Sequence, residues 1–339
     1  RKMSKSLGNV IDPMDLAQNY GADAFRLSIL RQMRLESQEI RYHESRCEEA
    51  RNFNNKIWNA TRYMLALPEG LPPAMTLPAQ TALTLADRWI LTRLRETIVR
   101  MSSLCDAYDF GNATETIWRF LWYEFCDWYV EATKAEENRG TRAAVLSFVW
   151  NAAMRLLHPL APFISEEIWL ALPHDGESIV TANWPDPLEV PESAAAARDF
   201  EGIVSAVERL RNERAEIGLH PRERAVCEVP ANLRDDAAAL LALYAGADLD
   251  RTGSATESLE DALGAVRLRA SAALLEERYR KALVHLQSEI ERGERKLANE
   301  AFVAKAAPDV VAKEREKLEG YRAELARTQA ALRALKEPA

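Results

Sequence analysis

Apolar residues recur at helical spacing through most of the first 172 residues. In the stretch 46–67, four of them fall on one helix face: Phe53, Ile57, Ala60 and Met64. Similar spacing predicts helices over 86–107, 113–135, 142–157 and 165–172. A further helix is predicted after Asp12, which is suited to cap it, with Pro13 in its first turn. Helices with one apolar stripe bury that stripe against each other, so the sequence predicts a helical bundle.

Residues 184–191 form a predicted linker, and the pattern changes beyond Pro221. A helix is predicted over 199–217. Beyond it, two short stretches with strand character, 225–229 and 265–268, flank an alanine-rich helix at 233–245. This order predicts a small α/β module.

Two heptad-like stretches follow. Positions in the first step by three or four residues: Leu275, Tyr279, Ala282, Leu286, Ile290, Gly293 and Leu297. After a loop around 301–308, the spacing resumes at Val311, Glu314, Leu318, Tyr321, Leu325, Thr328, Leu332 and Leu335. The pattern predicts an antiparallel coiled-coil hairpin. Its second helix, of about 28 residues, would be roughly 42 Å long, so we expect a projecting arm.

The predicted fold class is therefore mainly α, with a helical bundle, a small α/β module and a C-terminal antiparallel coiled-coil hairpin. The predicted domains are a loop and junction, the bundle, the α/β module and the arm, over 1–45, 46–190, 191–270 and 271–339.

Composition limits the possible functions. The chain has 339 residues, a net charge of −8 and 47% hydrophobic residues, which argues against a uniformly basic nucleic-acid binder but leaves room for local basic surfaces. No apolar run approaches the roughly 20 residues that cross a bilayer, so we expect no membrane contact. The four cysteines form no CxxC pair and fit a reducing cytosol, so we expect a cytoplasmic protein without a metal site.

The sharpest chemical signal is the pentapeptide Lys2-Met3-Ser4-Lys5-Ser6. Two lysines on flexible stems, with hydroxyl side chains between and beside them, can follow and neutralise a phosphate group. An isolated K-x-x-K sequence is more often an exposed basic loop. The complete pentapeptide, followed by LGN and a proline-started helix, is far more specific.

The run KMSKSLGNVIDP at 2–13 resembles the signature loop of class I aminoacyl-tRNA synthetases. The resemblance implies that Lys5 is the main lysine for the ATP phosphates and that Lys2, Ser4 and Ser6 assist it. In that family the loop stabilises the departing pyrophosphate while ATP, with Mg²⁺, activates the amino acid. The implied mechanism is electrostatic stabilisation together with positioning.

Longer segments of the chain resemble one subgroup of this family. YGADAFRL at 20–27 and RNFNNKIWNATRYML at 51–65 resemble the valyl, isoleucyl and leucyl subgroup. WYEFCDWYVE at 122–131 and LLHPLAPFISEEIW at 156–169 resemble its helical anticodon-binding domain. KLANEAFVAKAAPDVVAKEREKL at 296–318 resembles the coiled-coil arm of the valyl branch, a combination that the other two branches lack.

The resemblance implies that the catalytic and editing domains lie upstream, in a missing N-terminal part. None of the five histidines lies in an HIGH-type motif. We therefore expect the isolated chain to be inactive and to bind tRNA(Val), most simply as a monomer.

Asn55, Asn59 and Tyr63 share one face of the predicted helix 46–67, and Lys56 flanks them. Amides can bond to unstacked base edges and an aromatic ring can stack on a base. The resemblance implies that this helix contacts the anticodon. The alternative is that both asparagines bond within the bundle and Tyr63 is half-buried. Most of the seven aromatic residues between 118 and 129 are predicted to lie in the core, with one exposed ring still able to stack.

The arm is the relatively basic part of an acidic chain. Residues 276–336 hold 14 lysines and arginines against 11 aspartates and glutamates. Seven cations lie toward the predicted tip: Arg292, Arg295, Lys296, Lys305, Lys313, Arg315 and Lys317. Charged coiled-coil faces are usually only solvated. The local excess favours contacts to the phosphates of the tRNA elbow.

Other functions stay open from the sequence. The first alternative is a fragment of an isoleucyl- or leucyl-tRNA synthetase, which the coiled-coil ending disfavours. A non-enzymatic tRNA-binding module would have no use for a pyrophosphate-stabilising lysine. A coiled-coil interaction protein would leave the Asn55, Asn59 and Tyr63 stripe without a purpose.

Overall fold

The computed structural model describes residues 3, 10–35, 39–40, 42–72, 76–134, 141–216, 219–220, 223–269, 272–299 and 308–334, with only the backbone described at 272–274, 308, 309, 331 and 334. The chain forms two compact units. The first comprises Arg1–Val204 and Arg234–Tyr244, and the second comprises Ser205–Leu233 and Ala245–Ala339.

The first unit is helical. Its helices are α1 (Pro13–Tyr20), α2 (Ala22–Leu30), α3 (Ser45–Leu65), α4 (Leu85–Asp106), α5 (Phe110–Arg119), α6 (Val130–Ala132), α7 (Arg142–Leu157), α8 (Pro162–Ala171), the start of α9 (Ala194–Glu216) and nearly all of α10 (Asp235–Ala245). A π-helical stretch, Phe120–Tyr129, joins α5 to α6 without a break. Short 3₁₀ turns lie at Gln80–Ala82, Ile179–Thr181 and Pro187–Glu189. The predicted mainly α fold is confirmed.

Local sequence explains how several of these helices begin. The Asp12 carboxylate accepts a hydrogen bond from the Met14 amide at 2.8 Å, and Pro13 occupies the first turn of α1, as predicted. Gly21 ends α1 with a φ of 97°, a conformation that favours glycine. Thr84 and Asp87 form a reciprocal capping box at the start of α4.

Aromatic side chains fill much of the core of the first unit. The rings of Phe53 and Trp118 stack at 4.1 Å between centroids, and those of Phe125 and Trp150 at 4.6 Å. Asp87 is also fully buried in this unit. Three of the seven aromatic residues from 118 to 129 remain half-buried or exposed, and the other four are in the core, which confirms the prediction for most of them.

The second unit contains a three-stranded sheet of order β2-β1-β3, formed by β1 (Ala225–Pro230), β2 (Ala247–Gly253) and β3 (Arg267–Arg269), with α11 (Leu259–Ala265) before β3. β1 runs parallel to β2 and antiparallel to β3. The predicted strand 225–229 is confirmed. The predicted strand 265–268 begins later than expected because α11 extends to Ala265, and β2 was not predicted.

The rest of the second unit is a pair of long helices, α12 (Ala272–Ala298) and α13 (Pro308–Ala334). They run antiparallel, since Lys296 pairs with Glu314 at 2.9 Å and Glu294 with Arg322 at 2.6 Å. Every predicted heptad position that the structure describes is buried or half-buried, and Leu286, Gly293 and Leu318 are the buried ones. Gly293 allows close approach, because a Cβ atom there would lie 3.2 Å from Leu318 Cδ1.

Candidate nucleic-acid interface

Helix α3 presents its polar face to solvent because its apolar face is anchored in the core. Phe53, Ile57 and Met64 are fully buried on one side, and Thr61 accepts a hydrogen bond from the Trp150 indole at 3.1 Å. The opposite side is exposed at Asn55 and Asn59. Neither asparagine side chain makes a hydrogen bond to another described residue. The predicted stripe is therefore open to a ligand at these two positions.

The other two predicted α3 residues are held by the protein itself. The Lys56 ammonium lies 2.5 Å from a carboxylate oxygen of Asp127 and 3.9 Å from the centre of the Trp122 ring. The Tyr63 hydroxyl lies 3.1 Å from the Thr133 hydroxyl.

The Thr133 hydroxyl already donates to the Val130 carbonyl at 2.7 Å. Tyr63 must therefore be the donor in its bond to Thr133. This bond holds the hydroxyl end of the Tyr63 ring in place. The charge of Lys56 is largely compensated by the Asp127 carboxylate.

Two further exposed residues of α3, Trp58 and Arg62, were not singled out from the sequence. They lie beside Asn55 and Asn59, one helical turn apart from each other. The sequence does contain a signal for both residues. The aromatic residue follows Asn55 by three positions, and the cationic residue follows Asn59 by three positions. Residues 50–68 also contain no aspartate or glutamate, although the chain as a whole is acidic.

A large groove runs along α4 and α5, with a volume of about 1030 Å³. Its charged lining residues are Arg93, Arg95, Arg100, Arg119, Glu96, Glu115, Glu124 and Glu192. The two signs balance, and Arg93 is paired with Glu124 at 2.7 Å. This groove therefore offers a polyanion less net attraction than the exposed face of α3.

The basic residues of the α12–α13 pair lie at its surface. Arg292 is paired with Glu289 at 3.0 Å, and the Arg295 guanidinium donates to the Glu291 carbonyl at 3.2 Å. Lys296 is paired across the two helices with Glu314.

Lys313 and Arg315 are exposed, and the exposed Lys317 ammonium lies 5.5 Å from the centre of the Tyr321 ring. Lys305 lies outside the described residues, as do Lys2, Ser4, Lys5 and Ser6 of the predicted phosphate loop.

Comparison with known proteins places these features in a family. Three family models match the chain: tRNA synthetases class I (I, L, M and V) over residues 1–41, the anticodon-binding domain of tRNA ligase over 87–229, and the valyl tRNA synthetase tRNA binding arm over 273–336. Valine–tRNA ligases from Carboxydothermus hydrogenoformans, Bacillus subtilis and Geobacillus stearothermophilus are 38%, 36% and 39% identical to it, each over 95% of this chain. The chain belongs to the valine–tRNA ligase family.

The match is to the C-terminal region of valine–tRNA ligases. It spans 38–39% of the length of these three relatives. The predicted membership of class I and of the valyl branch is confirmed, and the isoleucyl and leucyl alternatives are not favoured. Helix α3 lies between the matched ranges 1–41 and 87–229, so none of the three models covers it.

Two further observations complete the description of this valine–tRNA ligase family member. Among the described residues, no cluster of three or more histidine, cysteine or acidic side chains is arranged to hold a metal ion. Within the same described part, no helix combines the length and the apolar character needed to cross a membrane.

Proposed function

We propose that this chain is the tRNA-binding part of an enzyme that activates valine with ATP and transfers it to tRNA(Val). The observation that carries the proposal is the order of the matched ranges. A class I synthetase segment, an anticodon-binding domain and a tRNA-binding arm follow one another in a single chain.

The exposed face of α3 is the proposed anticodon contact. Asn55 and Asn59 offer amide donors and acceptors that suit the edges of unstacked bases. Lys56 is bound to Asp127 and Tyr63 is bound to Thr133, so these two residues form the rigid edge of this face. Lys56 is less suited to bind a phosphate than its exposed neighbours on α3, because its charge is compensated.

The α12–α13 pair is the proposed contact to the tRNA elbow. Its exposed cations, including Lys313 and Arg315, suit phosphate oxygens, which are read by charge and shape with little dependence on sequence. The apolar positions of α12 and α13 cover each other, so this pair needs no second copy to bury them. We therefore expect a monomer, which sedimentation of the chain would test.

The ATP chemistry is assigned to the signature loop in the complete enzyme. Lys5, with Lys2, Ser4 and Ser6, would bind the phosphates, and Mg²⁺ would accompany the nucleotide. The partner that completes this site would be an N-terminal catalytic domain, with an editing domain beside it. The four cysteines are free thiols, which fits a cytoplasmic protein.

The test is a filter-binding titration of the 339-residue chain with tRNA(Val) and with the same tRNA carrying an altered anticodon. We expect the altered anticodon to bind about fivefold to tenfold more weakly, the loss of one or two good base contacts. Equal affinity for both tRNAs would contradict anticodon recognition by this chain. No measurable binding to either would contradict the proposed function altogether.

A further inference from the structure

Trp58 differs from the other partly exposed tryptophans of the first unit in its surroundings. It is 37% exposed, and no hydrogen bond or ring contact joins it to another described side chain. Trp184 has nearly the same exposure, 38%, but its indole N–H donates to the Ser102 hydroxyl at 2.9 Å. Trp122 is engaged with the Lys56 ammonium. An exposed ring without such a partner is available for stacking.

The charge beside Trp58 suits an anion. Arg62 lies one helical turn away on the same face, is exposed, and makes no ion pair with a described residue. On the other edge of α3 the cations are compensated. Lys56 is paired with Asp127, and Lys134, whose ammonium lies 5.8 Å from the centre of the Tyr63 ring, is paired with Glu131. The uncompensated charge is therefore concentrated on the Trp58 side.

The occupant follows from these two features together. Each group on this face matches one part of a single nucleotide. The aromatic ring can stack on a base, the unpaired guanidinium can neutralise a phosphate, and the exposed amides can bond to base edges. Residues 50–68 contain no carboxylate that would repel the phosphate. A double-stranded stem would offer phosphates but no free base face. The chemistry therefore selects an unpaired nucleotide of an RNA loop.

We propose that an unpaired base of the anticodon loop stacks on Trp58 and that Arg62 neutralises the phosphate next to it. In this arrangement Trp58 provides the stacking surface that the sequence pattern assigned to Tyr63. The proposal rests on the proposed function, because it names the subsite at which α3 would hold the loop.

The test uses the full chain and an RNA hairpin with the anticodon stem and loop of tRNA(Val), with a blunt duplex of the stem sequence as the comparison RNA. Trp58→Ala should weaken hairpin binding about tenfold, the typical effect of removing one base–aromatic stack. Trp58→Phe should retain most of the affinity. The matched control Trp184→Ala, which removes an equally exposed ring elsewhere in the first unit, should leave it unchanged.

Arg62→Gln should weaken hairpin binding. It should also reduce the salt dependence of the binding affinity by the amount expected for about one phosphate contact. The control Arg198→Gln, which replaces an exposed arginine on α9, should do neither. Quenching of tryptophan fluorescence by the hairpin should shrink in Trp58→Phe, which gives a second measurement if the alanine variant folds poorly.

The outcomes separate the two proposals. If the unmodified chain distinguishes the anticodons but Trp58→Ala binds the hairpin normally, the subsite is wrong and the proposed function stands. If Trp58→Ala weakens the hairpin and the duplex equally, the contact is not to an unpaired base. If the unmodified chain binds no tRNA, the proposed function itself fails.

Discussion

The hydrogen bonds to the buried Asp87 carboxylate allow us to estimate how strongly the Tyr129 hydroxyl stabilises the helical unit. Asp87 is fully buried and accepts three hydrogen bonds: from the Tyr129 hydroxyl at 2.7 Å, from the Thr141 hydroxyl at 2.6 Å and from the Thr84 amide at 3.0 Å. Tyr129→Phe removes one of these donors and keeps the ring. A hydrogen bond to a charged group contributes about 1.5–3 kcal/mol, so the free energy of unfolding should fall by about 2 kcal/mol.

The assay is urea unfolding followed by circular dichroism. The matched control is Tyr123→Phe in the same helical segment, where the side chain is 51% exposed and makes no hydrogen bond to a described residue. This control should change the free energy of unfolding by less than about 0.5 kcal/mol. If both variants unfold at the same urea concentration as the unmodified chain, the Asp87 network does not stabilise the fold as described.

The same bond has a pH signature. Burial, followed by the nearby Asp87 charge, raises the pKa of Tyr129 well above its ordinary value of 10. The folded state therefore keeps this proton when the unfolded state loses it. The stability that Tyr129 provides should be constant up to about pH 9 and decline above the ordinary tyrosine pKa. The difference in stability between the unmodified chain and Tyr129→Phe should shrink accordingly, and a difference that grows above pH 10 would contradict this reasoning.

Three shorter predictions concern thiols, specificity and charge. Cys105 is the least buried cysteine and should react first with a thiol reagent at pH 8; burial raises the pKa of the Cys126 thiol to about 12, so rapid labelling of Cys126 in the folded chain would contradict the structure. Asn59→Ala should reduce discrimination between anticodons by about fivefold in the filter-binding titration, whereas an unchanged ratio would remove Asn59 from the site. Replacing Lys313 and Arg315 by glutamate should weaken tRNA binding most at low salt; equal weakening at all salt concentrations would argue against phosphate contacts.

The helices could be predicted closely because burial follows the helical period. The predicted helix 142–157 matches α7, and the heptad positions identify the contact between α12 and α13. Strand β2 escaped prediction because it is an edge strand of the sequence ADLDRTG, whose charged residues show no apolar alternation. A strand that buries little of its surface leaves little pattern in the sequence.

The candidate interface was predictable only in part. The exposure of Asn55 and Asn59 follows from the position of the apolar stripe on α3. The pairing of Lys56 does not, because Asp127 lies 71 residues away and reaches Lys56 from a π-helical segment whose wider turns alter the spacing of its side chains. Trp58 was overlooked because strict i, i+4, i+8 spacing selects one line along the helix, while the exposed face is wider.

A chemical footprint of tRNA(Val) would show directly whether this chain contacts both the anticodon loop and the elbow. The chain is added to the tRNA, and backbone cleavage by hydroxyl radicals is mapped nucleotide by nucleotide. We expect protection in two separate places, the anticodon loop and the elbow, with the elbow protection lost first as salt is raised. Protection confined to the acceptor stem, or spread evenly along the tRNA, would contradict this expectation.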